Sequence, residues 1–184
     1  MKRGFDILFS LALIIVALPL IAAIWLAICI LSPGPALFRQ KRIGRSGLEF
    51  EILKFRTMVV NAETLGGFST EAGDPRITPI GAFLRRTSLD EIPQLANVLR
   101  GDMSIVGPRP DVPGQRALYS AEDWRLRHLV RPGITGLAQS TLRSEATPEE
   151  RLALDLDYVR DHGLARDIAI LTKTLVQIVT KGGN

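Results

Sequence analysis

The run from Ile7 to Leu31 restricts this chain more than any other feature, because only Ser10 and Pro19 interrupt its apolar character. At about 25 residues it is long enough to cross a bilayer as a straight helix. It is too long for a typical signal-peptide core, and no small-residue cleavage site follows it. Lys2 and Arg3 precede the run, and Arg39, Lys41, Arg42 and Arg45 follow it. Basic residues on both flanks favour keeping both ends in the cytoplasm. Pro19 lacks an amide N–H and crowds the preceding turn, so it predicts a kink or a break. Two readings follow: a single-pass anchor, or a bent helix that enters the membrane and returns to the same face.

The 184 residues are enough for one domain with a real core. The formal net charge is +4, the pI is about 9.6 and the mean hydropathy is +0.17. A basic, partly apolar chain suggests an anionic partner such as a membrane surface, a nucleotide or a phosphate. Aromatic residues make up only 6%, which argues against nucleic acid held by base stacking. The single Cys29 lies inside the apolar run, so no intrachain disulfide or cysteine metal site can form. Two histidines, His128 and His162, exclude a His-rich zinc site.

After the run, Ser32-Pro33-Gly34-Pro35 turns the chain. Two strand-like segments follow, 36–44 and 50–58, joined by a polar turn around Gly44 to Gly47. They predict a short β-hairpin rich in cations. The segment 61–76 reads as a surface loop with a short helix at its start. Helices are expected over 121–130, over 148–161 and over 167–181. The last carries Ile168, Leu171, Leu175, Ile178 and Val179 on one stripe, suited to the core or to a membrane surface. Trp124, Arg125, Arg127 and His128 admit two readings, core packing or a position at the lipid headgroups.

The chemistry concentrates in 85–110. Ser88 and Glu91 fit a capping box, which predicts a helix beginning near Leu89–Glu91 and ending at Gly101. Asp90 would then lie among free backbone N–H groups, with Arg85 and Arg86 just before it. A strand is expected over 103–106. It leads into Gly107-Pro108-Arg109-Pro110, where two prolines restrict the backbone around one cation. An arginine held that way suits a phosphate, which it can grip with two hydrogen bonds.

The run S-L-D-E-I-P-Q-L (88–95), continued by N-V-L-R-G-D-M-S-I-V-G-P-R-P (97–110), resembles the signature of the bacterial sugar transferases, small monotopic phosphoglycosyl transferases. The blocks S-P-G-P, F-R-Q-x-R-x-G, K-F-R-T-M and R-P-G-I-T-G-x-A-Q are similar to the same family, and D-x-x-Y-V at 155–159 matches a further element. Three departures stand out. Leu18 precedes Pro19, Leu142 replaces a glycine before Arg143, and Asp157 stands where an aromatic is common.

The resemblance implies an α+β, mainly helical protein. Residues 1–35 would form a re-entrant helix-break-helix with the break at Pro19. Residues 36–184 would form a small catalytic domain with amphipathic helices and the hairpin, lying on the cytoplasmic face of the bacterial inner membrane. It also implies transfer of a sugar 1-phosphate from a UDP-sugar to a polyprenyl phosphate, with release of UMP and with Mg²⁺ as cofactor. Such a reaction begins the assembly of a membrane-bound glycan. Asp90 is expected as nucleophile and metal contact, and Glu91 as its supporting group. Lys54, Arg56, Arg85, Pro108, Arg109, Pro110, Arg131, Arg143 and Asp155 are expected at the substrates. The competing readings are a membrane-bound metal-dependent glycosyltransferase, which would release UDP, and a non-catalytic module that binds anionic lipid.

Overall fold

The computed structural model describes residues 1–66, 73–142 and 147–181. Helix α1, Lys2–Leu31, runs for 30 residues with Pro19 inside it. The break expected at Pro19 is therefore not an interruption of the helix. Leaving the helix there would free further backbone groups inside an apolar stretch, whereas a kink sacrifices a single bond. Asp6, Ser10, Ile24 and Ile28 are buried against the domain. Leu8, Ile15, Val16, Leu18, Leu26 and Ile30 stay largely exposed. So large an apolar face belongs against lipid rather than water.

Polar bonds tie both ends of α1 to the rest of the fold. Lys2 Nζ donates to Asp167 at 2.5 Å and to the Val106 carbonyl at 3.1 Å. Arg3 donates to the carbonyls of Val98 and Leu99 at 2.7 and 3.1 Å. Asp6 accepts from the Ser104 hydroxyl at 2.9 Å and from the Ile105 N–H at 3.2 Å. At the far end, Arg56 donates to the Ser32 carbonyl at 2.6 Å.

Strands β1, Leu37–Ile43, and β2, Glu49–Phe55, form the expected antiparallel hairpin, with Phe38 opposite Lys54. Helix α2, Ala62–Gly66, opens the loop as expected, and helix α3, Pro79–Arg86, follows it. Thr78 caps α3 by accepting from the Gly81 N–H at 3.0 Å. The capping box at Ser88 is absent. Ser88 takes a left-handed conformation (φ 56°) with no side-chain cap bond, and Leu89–Glu91 form a 3-10 turn. Helix α4 covers Gln94–Arg100, with Pro93 at its N-cap and Gly101 at φ +100° closing it. Proline needs no N–H partner at that position, so the helix starts where Pro93 allows rather than at Leu89.

Strand β3, Ser104–Val106, pairs in parallel with β4, Gly133–Thr135. Helix α5, Ala121–Arg127, lies between them in sequence. Helices α6, Leu137–Leu142, α7, Pro148–Arg160, and α8, Leu164–Lys181, complete the chain. Asp167 and Ile170 form the buried side of α8, and Thr174 is bonded to Thr135. Ile168 and Leu175 of the expected stripe face outward, while the Ile178 and Val179 side chains lie outside the described set.

The core has two parts. Ile52, Leu95, Val98, Met103, Val106 and Tyr158 form one, and Ile24, Ile28, Phe55 and Leu84 the other. Ile92 packs against both. The turn bearing Asp90 and Glu91 is thus anchored at the seam between them.

Candidate active site

Three elements converge beside that seam. Strand β2 supplies Lys54, the 3-10 turn supplies Asp90 and Glu91, and the turn after β3 supplies Arg109. Lys54 Nζ lies 2.7 Å from Glu91 Oε1 and 3.9 Å from Asp90 Oδ2. Arg109 Nη1 lies 3.4 Å from the same Glu91 oxygen. A small recess opens here, walled by Lys54, Glu91, Gln94, Arg109, Pro110 and Arg42.

The two carboxylates sit in different surroundings. Burial opposes ionisation of Glu91, but Lys54 and Arg109 outweigh it and hold the carboxyl at about 2. Burial raises Asp90 above the ordinary value of 3.8 despite the pull of Lys54, Arg85 and Arg109. Burial likewise lowers Lys54 from 10.5, against the attraction of Glu91. Glu91 is therefore a fixed anion that orients two cations. Asp90 is the more basic and less tightly held carboxylate, which suits it to form a bond with phosphorus.

Among the described residues no cluster of three His, Cys, Asp or Glu side chains could cage a metal. The donor set still fits Mg²⁺, which commonly takes one or two carboxylates plus substrate phosphate oxygens. Asp90 is the side chain that would hold it.

The expected site residues divide into those the fold gathers and those it uses elsewhere. Lys54, Glu91, Arg109 and Pro110 line the recess, and Asp90 is placed next to Lys54, its Oδ2 3.9 Å from the Lys54 Nζ. Arg85 adjoins it, with its Nε donating to Thr57 Oγ1 at 2.9 Å while its charge acts on Asp90. Pro108 is buried, and its carbonyl accepts from the Gly133 N–H at 2.9 Å.

Arg56 is only 6% exposed and donates to Ser32 and to the Pro35 carbonyl, so in this structure it braces the exit of α1. Arg131 turns its Nε to the Gly101 carbonyl at 2.8 Å, behind α4. Asp155 is also buried away from the recess, accepting from Arg127 Nε at 3.0 Å and Nη2 at 2.8 Å. Arg143 lies outside the described residues.

The partnership among Arg127, Asp111 and Asp155 has no signal in the sequence, because Asp111 and Asp155 stand 16 and 28 positions from Arg127 along the chain. Arg127 and His128 are buried, and Trp124 contacts His128 at a ring separation of 4.3 Å, so α5 packs inward. Arg42, read first as a basic flank, walls the recess instead.

Comparison with known proteins places the chain among characterised relatives. Residues 1–181 match the family described as bacterial sugar transferase. A UDP-glucose:undecaprenyl-phosphate glucose-1-phosphate transferase of Caulobacter vibrioides is 43% identical over 186 residues, covering 97% of this chain and 70% of that protein. The exopolysaccharide production protein PSS of Rhizobium leguminosarum bv. phaseoli is 43% identical over 193 residues, covering 99% of this chain and 96% of that protein. An undecaprenyl-phosphate galactose phosphotransferase of Salmonella typhimurium is 40% identical over 199 residues, covering all of this chain but only 41% of that protein.

Proposed function

The chain belongs to the bacterial sugar transferase family, and from that premise we propose that it moves a sugar 1-phosphate from a UDP-sugar to undecaprenyl phosphate, releasing UMP. The product is the first lipid-linked intermediate of a membrane-assembled glycan. One observation carries the reading. A buried Asp90 stands beside Glu91, whose charge holds Lys54 and Arg109 within hydrogen-bond or ion-pair reach. The relatives' names cover both glucose and galactose, so the sugar is left open.

The proposed route has two displacements. An Asp90 oxygen bonds to the sugar-bearing phosphorus, and the bridge to the second phosphate breaks. UMP leaves with the bridging oxygen and its electron pair. An oxygen of the lipid phosphate then bonds to the same phosphorus, and the bond to Asp90 breaks, restoring the carboxylate. Lys54 and Arg109 neutralise the phosphate oxygens as Asp90 approaches, and Arg85 adds positive potential from the α3 side. Mg²⁺ bound at Asp90 would supply further neutralisation of the diphosphate. Incubating the protein with UDP-glucose or UDP-galactose and undecaprenyl phosphate tests the reading. UMP release supports it, UDP release would indicate sugar transfer alone, and no nucleotide release would leave a lipid-binding module.

Arg109 gives a sharper check. Arg109→Lys keeps the charge but loses the two-pronged grip. Turnover should fall at least about tenfold, or roughly 1.4 kcal/mol of transition-state stabilisation. Unchanged turnover would reduce Arg109 to a turn residue.

We also propose that α1 is re-entrant and that the domain lies on the cytoplasmic face. Support comes from Lys2, Arg3 and Asp6 at one end, and Ser32 at the other, which bond to the same domain. A straight span would carry one of those ends across the bilayer. Cysteines replacing Lys2 or Arg45 should both resist a membrane-impermeant thiol reagent in intact cells carrying Cys29→Ser. Labelling at position 2 with protection at 45 would establish a single-pass anchor.

A further inference from the structure

We propose that Arg127 is the positioning residue for Arg109, setting the turn from which its guanidinium meets the transferred phosphate. The inference rests on the transfer reading above. Four consecutive carbonyls of this turn each receive a donor. The Gly133 N–H meets the Pro108 carbonyl at 2.9 Å, and the Ile43 N–H meets that of Asp111 at 2.9 Å. Arg127 Nη2 meets the Arg109 carbonyl at 2.8 Å, and Arg42 Nη1 meets that of Pro110 at 3.0 Å. Two prolines remove N–H groups from the same stretch, so its shape depends on what its carbonyls accept.

Arg127 grips the turn twice. Besides the Arg109 carbonyl, its Nη1 donates to the Asp111 carboxylate. Asp155 fixes the other edge of the guanidinium through Nε and Nη2. Tyr119 completes the enclosure, its hydroxyl donating to Asp111 at 3.1 Å and its ring centroid 5.5 Å from the guanidinium carbon. Arg127 is 3% exposed, and Asp111 and Asp155 are buried with it. Burying three ionised groups carries a heavy desolvation penalty and is weak support for stability alone. Geometry is what the arrangement supplies: a planar, doubly paired fork aims Nη2 at one carbonyl and admits little rotation. Neither Arg127 nor Asp155 lines the recess with Lys54 and Glu91, so both act through Arg109.

A double-mutant cycle on the full-length membrane protein tests this, with UMP release from UDP-sugar and undecaprenyl phosphate as readout. Arg127→Lys should lower kcat at least about tenfold in the wild-type background, since lysine cannot reach both carboxylates and the carbonyl together. In an Arg109→Ala background the same change should lower kcat less than about twofold. Asp155→Asn keeps the side-chain shape and should show the same dependence on Arg109 with a smaller loss, which covers the case of an Arg127 variant that does not fold. Equal losses in both backgrounds, or no loss in either, would overturn the proposal. A wild-type protein that releases no UMP would instead sink the transfer reading itself.

Discussion

Incubated with a UDP-sugar alone, the wild-type protein should release one equivalent of UMP and gain the mass of one phosphosugar, and Asp90→Asn should do neither. Asparagine matches aspartate in size and lacks the anionic oxygen that the proposed route bonds to phosphorus, so packing is kept while that nucleophile is lost. Glu91→Gln should still form some adduct, slowly, because it loosens Lys54 and Arg109 without touching Asp90. Undecaprenyl phosphate should discharge the adduct, which intact-mass measurement would follow directly. The pH dependence adds a second handle. Burial raises Asp90 above 3.8, so its reactive anion is lost at a higher pH than that of a solvated aspartate. The acid limb of adduct formation should therefore lie above that of a solvated aspartate. An adduct that persists in Asp90→Asn would move the nucleophile elsewhere, with Glu91 next in line. A wild type that turns over without any adduct would point to direct attack by the lipid phosphate.

What the sequence revealed was mostly local. The apolar run, the cationic hairpin, Gly101 ending α4 and the β3 strand feeding Pro108–Pro110 all follow from periodicity and turn chemistry over a few residues. Asp90, Glu91 and Arg109 were legible because a carboxylate pair and a rigid cation stand close together in the chain. Lys54 was read as a cation for the substrate phosphates, but its pairing with Glu91 needs the register of β2 against the 3-10 turn. Arg56 and Asp155 show the limit. Each is a charged residue in a recognisable local motif, and each is bonded to a partner distant in the chain, Ser32 for one and Arg127 for the other. Nothing in a one-dimensional pattern separates a charge that faces substrate from one that faces a buried counter-charge. Ser88 failed for a related reason. The S-x-x-E pattern was present, but Pro93 fixed where α4 could begin and left Ser88 in a left-handed turn.

Replacing Lys54 with methionine should lower UMP turnover at least about a hundredfold, near 2.7 kcal/mol, and also lower the melting temperature. Methionine fills a similar space without the ammonium. Glu91 would then remain in a largely desolvated position with Arg109 at 3.4 Å as its other cation, and an incompletely paired buried charge typically weakens a fold by about 3–5 kcal/mol. Arg109, drawn further toward Glu91, would be less available to phosphate. The sign of the pH effect follows from the Glu91 carboxyl, which the wild type holds at about 2 against an ordinary 4.5. A carboxyl depressed on folding contributes stability that is fully present above its unfolded value and fades as pH falls toward the folded one. Without Lys54, burial pushes Glu91 upward and that contribution shrinks. The gap in melting temperature between wild type and Lys54→Met should thus be widest near pH 7 and close as the pH drops below about 4.5 toward 2. A gap that stays constant across that range would mean that Lys54 does not hold Glu91 ionised, and the cage around Asp90 would need another source of its charge.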